Sequence, residues 1–187
     1  MLPSARRLTV LGVVLLAGLT TVGVATGSNS RGLTDRPIKA LSAETITELR
    51  DGEGMSLALA AELNGWPGPR HVLDLAEQLA LTDQQRQRIE GELTAMRAVA
   101  RTLGRDVLAA EADLEAAFQS KDPDDAAIRH AVDRIASLQG ALRYTHLRRH
   151  VTTTRILTPE QTARYAEIRG YKPKGANAPR DGADMVK

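Results

Sequence analysis

The chain has 187 residues, enough for one ordinary domain with tails, and its aromatic content of 3% beside a charged fraction of 26% argues against a deep core. Alanine and leucine supply most of the apolar content, a composition suited to slender helices packed in thin layers. The 25 basic and 23 acidic residues balance at 23 against 23 once the first 25 residues, with Arg6 and Arg7, are set aside, so no basic face for nucleic acid is indicated. The absence of cysteine excludes disulfides, thiolate metal sites and a lipid-modified cysteine.

The N-terminus sets Arg6 and Arg7 ahead of an apolar run from Leu8 to Ala25 without an acid, then small residues at Gly23, Ala25 and Gly27. This pattern reads as a signal peptide, 1–25, cleaved after Ala25. The competing reading is a membrane anchor formed by residues 8–25, because the run approaches a spanning length. Both place the remainder outside the cytoplasm, in the periplasm. Residues 26–41, rich in Ser, Gly and Arg, read as a flexible linker. The folded domain is expected over 42–171 and a disordered tail over 172–187.

Within the domain a short helix is expected to begin at Ser42 and stop at Gly52 and Gly54, and a second to run from Met55 to Leu63. Asn64-Gly65-Trp66-Pro67-Gly68-Pro69 forces a turn, over which Trp66 is expected to pack. Val72, Leu75, Ala76 and Leu79 mark one face of a helix over 70–79. After Thr82 the positions Ile89, Leu93, Met96, Ala100, Leu103, Val107, Ala110 and Leu114 alternate steps of four and three, the seam of a helical hairpin. Lys121-Asp122-Pro123-Asp124 breaks it, with Asp122 the expected cap of the return arm. That arm continues the seam through Ile128, Ala131, Ile135, Leu138 and Leu142, after which the apolar stripe shifts to Tyr144, Leu147 and Val151. His130, one residue off the seam, is expected to face solvent. A last helix runs from Pro159 to Arg169 and ends at Gly170.

Two copies of one pattern open helices at the two ends of this hairpin: Leu81-Thr82-Asp83-Gln84-Gln85 and Leu157-Thr158-Pro159-Glu160-Gln161. Thr82 and Thr158 are N-caps, and Gln85 and Gln161, three residues on, complete capping boxes. Neither Leu81 nor Leu157 can form the usual staple, since the facing positions are Arg86 and Thr162, so both leucines must pack elsewhere. With arms of similar length, the two motifs should meet in space.

From about Gly54 to Tyr171, with both motifs and the Pro-Gly-Pro lead-in, the chain resembles the LTxxQ-motif family of extracytoplasmic proteins. That family includes Spy/CpxP-type stress chaperones and ZraP/CnrX-type heavy-metal resistance and sensor proteins. The resemblance implies an all-α fold: a long antiparallel helical hairpin with short flanking helices, paired into an elongated homodimer. It also implies ATP-independent binding of unfolded client proteins, with leucines left over at the motif ends as the apolar surface, and a sensor kinase or membrane-anchored regulator as a further partner.

No nucleophile-base-acid set, phosphate loop or zinc-protease motif is present, and a thin hairpin offers no deep pocket, so an enzyme is not expected. The one constellation with chemistry is His146 and His150, four apart and so on one helix face, able to hold Zn, Cu, Ni or Co with further ligands. His71, Glu77 and Glu90 are the candidates to complete the shell. Against this stand Arg148 and Arg149, which repel a cation, and the commoner fate of two histidines on a charged helix, which is solvation. A heavy-metal sensor or metal-resistance protein is therefore the alternative to the chaperone.

Overall fold

The computed structural model describes residues 31–171. Within them the chain forms seven helices and no strand: α1 (Arg31–Thr34), α2 (Ala43–Asp51), α3 (Leu59–Glu62), α4 (Pro69–Asp74), α5 (Asp83–Gln119), α6 (Asp125–Ile156) and α7 (Pro159–Ile168). The signal peptide or anchor over 1–25, the start of the linker and the tail over 172–187 lie outside the described residues.

Helices α5 and α6 are the two arms of the hairpin. At 1.5 Å per residue the 37 residues of α5 span roughly 55 Å. The expected seam of α5 lies against α6, with Ile89, Met96, Ala100, Val107 and Ala110 buried. At the far end Asp124, not Asp122, caps α6, accepting hydrogen bonds from the amides of Ala126 and Ala127. Its free carboxylate oxygens reach both orphan donors, so helix entry falls two residues later than the Pro123 signal suggests.

Two apolar clusters divide the core. One, at the open end, joins Val72, Leu79, Ile89, Ile156, Leu157 and Tyr165. The other, half-way along, joins Leu49 of α2 to Ala100, Val107 and Leu142. Helix α2, expected to begin at Ser42, begins at Ala43 with Ser42 as its cap, and it reaches α5 at Gly104, where a Cβ would stand 1.9 Å from the Leu49 carbonyl oxygen. Only glycine permits that approach. Part of the expected linker also has a place on the hairpin: Ile38 is buried and Lys39 is ion-paired with Glu115.

Three local expectations are corrected. The helix expected over 55–63 shortens to α3, because Met55 and Ser56 both take positive φ, 45° and 58°. The helix expected over 70–79 closes after Asp74 into a succession of turns. Finally, the seam of α6 does not shift after Leu142. Tyr144 and Val151 are exposed, and the buried row continues through His146, His150, Thr153 and Ile156. An apolar-only reading loses the seam where its residues become polar.

Candidate functional site

Both motifs form complete capping boxes. The Gln85 amide N–H donates to Thr82 Oγ1 at 3.2 Å and the Thr82 amide to Gln85 Oε1 at 3.1 Å. At the second motif the matching distances are 3.2 Å and 2.9 Å. The hairpin then brings the two boxes together. Gln85 Nε2 donates to Gln161 Oε1 at 2.8 Å, and Gln161 Nε2 donates to Gln85 Oε1 at 3.0 Å. Each amide also crosses to the backbone just ahead of the other motif, Gln85 to the Ile156 carbonyl at 3.0 Å and Gln161 to the Leu79 carbonyl at 3.2 Å. The pair is a reciprocal clasp that closes the open end of the hairpin. The motif leucines are not left over: Leu157 is 8% exposed in the core, and Leu81 packs against the same cluster.

Beside this clasp the segment from Gly52 to His71 folds over α5 and α6 and encloses a cleft of about 450 Å³. Three of the chain's four histidines line it, His71, His146 and His150. The fourth, His130, is exposed as expected. His146 and His150 sit on the polar stretch of the α6 seam, only 3% and 7% exposed. The expectation of a solvated pair is thus overturned, because the 52–71 segment covers a helix face that looks open in sequence.

The partners of these rings fix their chemistry. His150 Nδ1 lies 2.8 Å from the Trp66 carbonyl oxygen, which can only accept, so Nδ1 carries a proton and, in the neutral ring, Nε2 carries the lone pair. Gly68 makes that placement possible, since a Cβ there would stand 2.7 Å from His150 Cε1. His71 Nδ1 lies 2.8 Å from Glu62 Oε1, an arrangement in which the carboxylate orients the ring from behind. His146 Nε2 is buried with no hydrogen-bond partner. Burial, with the nearby His150, holds the His146 pKa below the usual imidazole range, although Glu53 opposes the shift.

Glu62 is the hub on which the C-terminal end docks. Its Oε1 accepts from Arg169 at 2.7 Å, Tyr171 at 2.8 Å and Tyr165 at 3.2 Å. Burial disfavours its charge, but the Tyr171 hydrogen bond and the charges of His71 and Arg169 outweigh it and hold the carboxyl below its ordinary range. Burial and the charge of Glu62 push the Tyr165 hydroxyl well above its ordinary value.

The family model described as heavy-metal resistance matches residues 8–164. The chain belongs to that heavy-metal resistance family. No curated protein and no solved structure matches it. The heavy-metal resistance family is typically periplasmic and comprises resistance and stress proteins that are not enzymes. Among the described residues no helix is long and apolar enough to cross a membrane.

Imidazoles are donors for Zn, Cu, Ni and Co, and the buried Nε2 of His146 has no hydrogen-bond partner. His71 shares the cleft with His146 and His150, whereas Glu77 and Glu90 do not line it. Glu77 is paired instead with Arg86 at 3.0 Å. Among the described residues no three His, Asp or Glu side chains converge closely enough to hold one ion. The objection from the two arginines weakens, because Arg149 is paired with Glu92 and Arg148 is exposed. Glu62 was missed in sequence because nothing local marks it: its four partners come from α4, α7 and the turn after α7. Trp66, 44% exposed, is not packed over its turn, and its carbonyl rather than its ring serves the site.

Proposed function

We propose that the protein is a periplasmic metal-responsive member of the heavy-metal resistance family, capturing a first-row transition-metal ion at His146 and His150 in the cleft. One observation carries this reading. His150 has its Nδ1 engaged by a backbone carbonyl and its Nε2 lone pair free, while one helical turn away His146 Nε2 is buried and unpartnered. A buried imidazole nitrogen without a hydrogen-bond partner, as at His146, is costly unless a ligand repays the desolvation. The oriented tautomer and the carboxylate behind His71 are the outer-shell features that metal-binding histidines use.

Calorimetry with zinc, copper, nickel and cobalt tests the reading. Binding should be lost in His146→Ala/His150→Ala and should fall steeply as pH drops through the imidazole range, because only the neutral ring offers a lone pair. Tight binding that survives the double substitution would overturn it. The chaperone remains as a second reading on a different surface from the one expected, since the motif leucines are buried. Leu59, Leu63 and Trp66 are exposed together on α3 and the turn after it. Suppression of client aggregation, lost on Leu59→Ser/Leu63→Ser, would support that reading, and no suppression at several-fold excess would remove it.

A further inference from the structure

Of the chain's four methionines, the two in the described residues, Met55 and Met96, both line the cleft with the histidines. Met96 is buried on the α5 seam. Glu92, four residues before it, bridges to Arg149, and His146 lies three residues before Arg149. The antiparallel register therefore sets Met96 across the hairpin from His146, one turn from the bridge. Met55 arrives by another route, on a backbone in which it and Ser56 are both left-handed without being glycine. Two consecutive residues of that kind are strained, and such strain persists only where the surroundings dictate it.

Both methionines pack, Met55 against the cluster of Leu49, Ala100, Val107 and Leu142 and Met96 in the seam, but packing requires a sulfur in neither place. Leucine fills a seam position with less conformational freedom, and methionine specifies a core poorly. Nor do the nitrogen and oxygen donors of the cleft close a shell, since no three of them converge and Glu62 is taken up by four partners. The two thioethers that line the same cleft are the further donors available there. A thioether is uncharged and soft, so it suits a d10 monocation and adds little for a harder dication. Resting on the reading of the cleft as a metal site, we propose that its ligand is Cu(I), held by His146, His150 and the Met96 thioether, with Met55 as a further sulfur donor.

The test is an anaerobic titration of the purified protein with Cu(I) against a chromogenic chelator, beside Zn(II) calorimetry. Met96→Leu and Met55→Leu/Met96→Leu should weaken Cu(I) by about tenfold or more, at least what loss of an outer-shell partner costs a metal site. Zn(II) affinity and the urea midpoint should stay nearly unchanged, because methionine to leucine conserves volume. X-ray absorption of the Cu(I)-loaded wild type should show sulfur scattering, a readout that needs no variant to fold. Unchanged Cu(I) affinity in the double leucine variant, or no sulfur scattering, would overturn the proposal while leaving a nitrogen-held metal site intact. Failure of the wild type to bind either ion would overturn the metal reading itself, and this proposal with it.

Discussion

Replacing Gln85 with alanine removes more than a helix cap. The side chain takes part in four hydrogen bonds of 3.1 Å or less: one within its own box, one to the Ile156 carbonyl and two with Gln161. Each net bond contributes about 0.5–1.5 kcal/mol, and the stranded Ile156 carbonyl and Gln161 amide add their own desolvation penalty. The expected cost is about 2–4 kcal/mol. Thr82→Ala, which removes one cap acceptor, should cost about 1 kcal/mol. Gln161→Ala should resemble Gln85→Ala, and the two substitutions should be strongly non-additive, with a coupling of about 1–2 kcal/mol, because both delete the same amide pair. Urea melts of the two single variants and the double variant supply the cycle. A Gln85→Ala cost no larger than that of Thr82→Ala, or additivity within about 0.3 kcal/mol, would refute the clasp.

Gly104→Ala should destabilise the domain by about 2 kcal/mol or more, since the new methyl group lands 1.9 Å from the Leu49 carbonyl oxygen and α2 must move. A urea midpoint matching wild type would contradict that close approach. Gly68→Ala should displace the His150 ring, met at 2.7 Å, and weaken metal binding far more than stability, as calorimetry and a melt on the same sample would show. Stability should fall in two acid stages. The unfolded chain protonates His146 at its ordinary pKa of 6.5 while the fold resists, so stability drops as pH falls below 6.5, by at most about 1.4 kcal/mol per pH unit. Glu62, held below its ordinary 4.5, adds a loss as pH falls below 4.5 toward its folded value. Denaturant midpoints across pH should lose the first stage in His146→Gln and the second in Glu62→Gln, and stages that persist in those variants would assign the titration to other groups.

What could be read in the sequence follows from which interactions are local. The capping boxes, the Ser42 cap and the α5 seam are written within three or four residues of themselves, and the folded chain keeps each of them. The meeting of the two motifs was legible from arm length alone, but not that the same two glutamines would join across the open end. The site was half legible. Spacing put His146 and His150 on one face, yet their burial depends on residues 52–71, whose turns are fixed by contacts with helices far along the chain. A seam that turns polar is ambiguous in sequence, because two histidines in place of two leucines read as a rotation of the helix toward solvent. Folded, the same two residues are buried positions of the seam that carry imidazole in place of hydrocarbon. Thr153 Oγ1, one turn further along this row, is likewise buried without a hydrogen-bond partner. Polar groups left unpartnered along a buried seam weaken the hairpin where they stand, and hydrocarbon packing alone does not account for them; of this row His146 and His150 line the cleft and Thr153 does not.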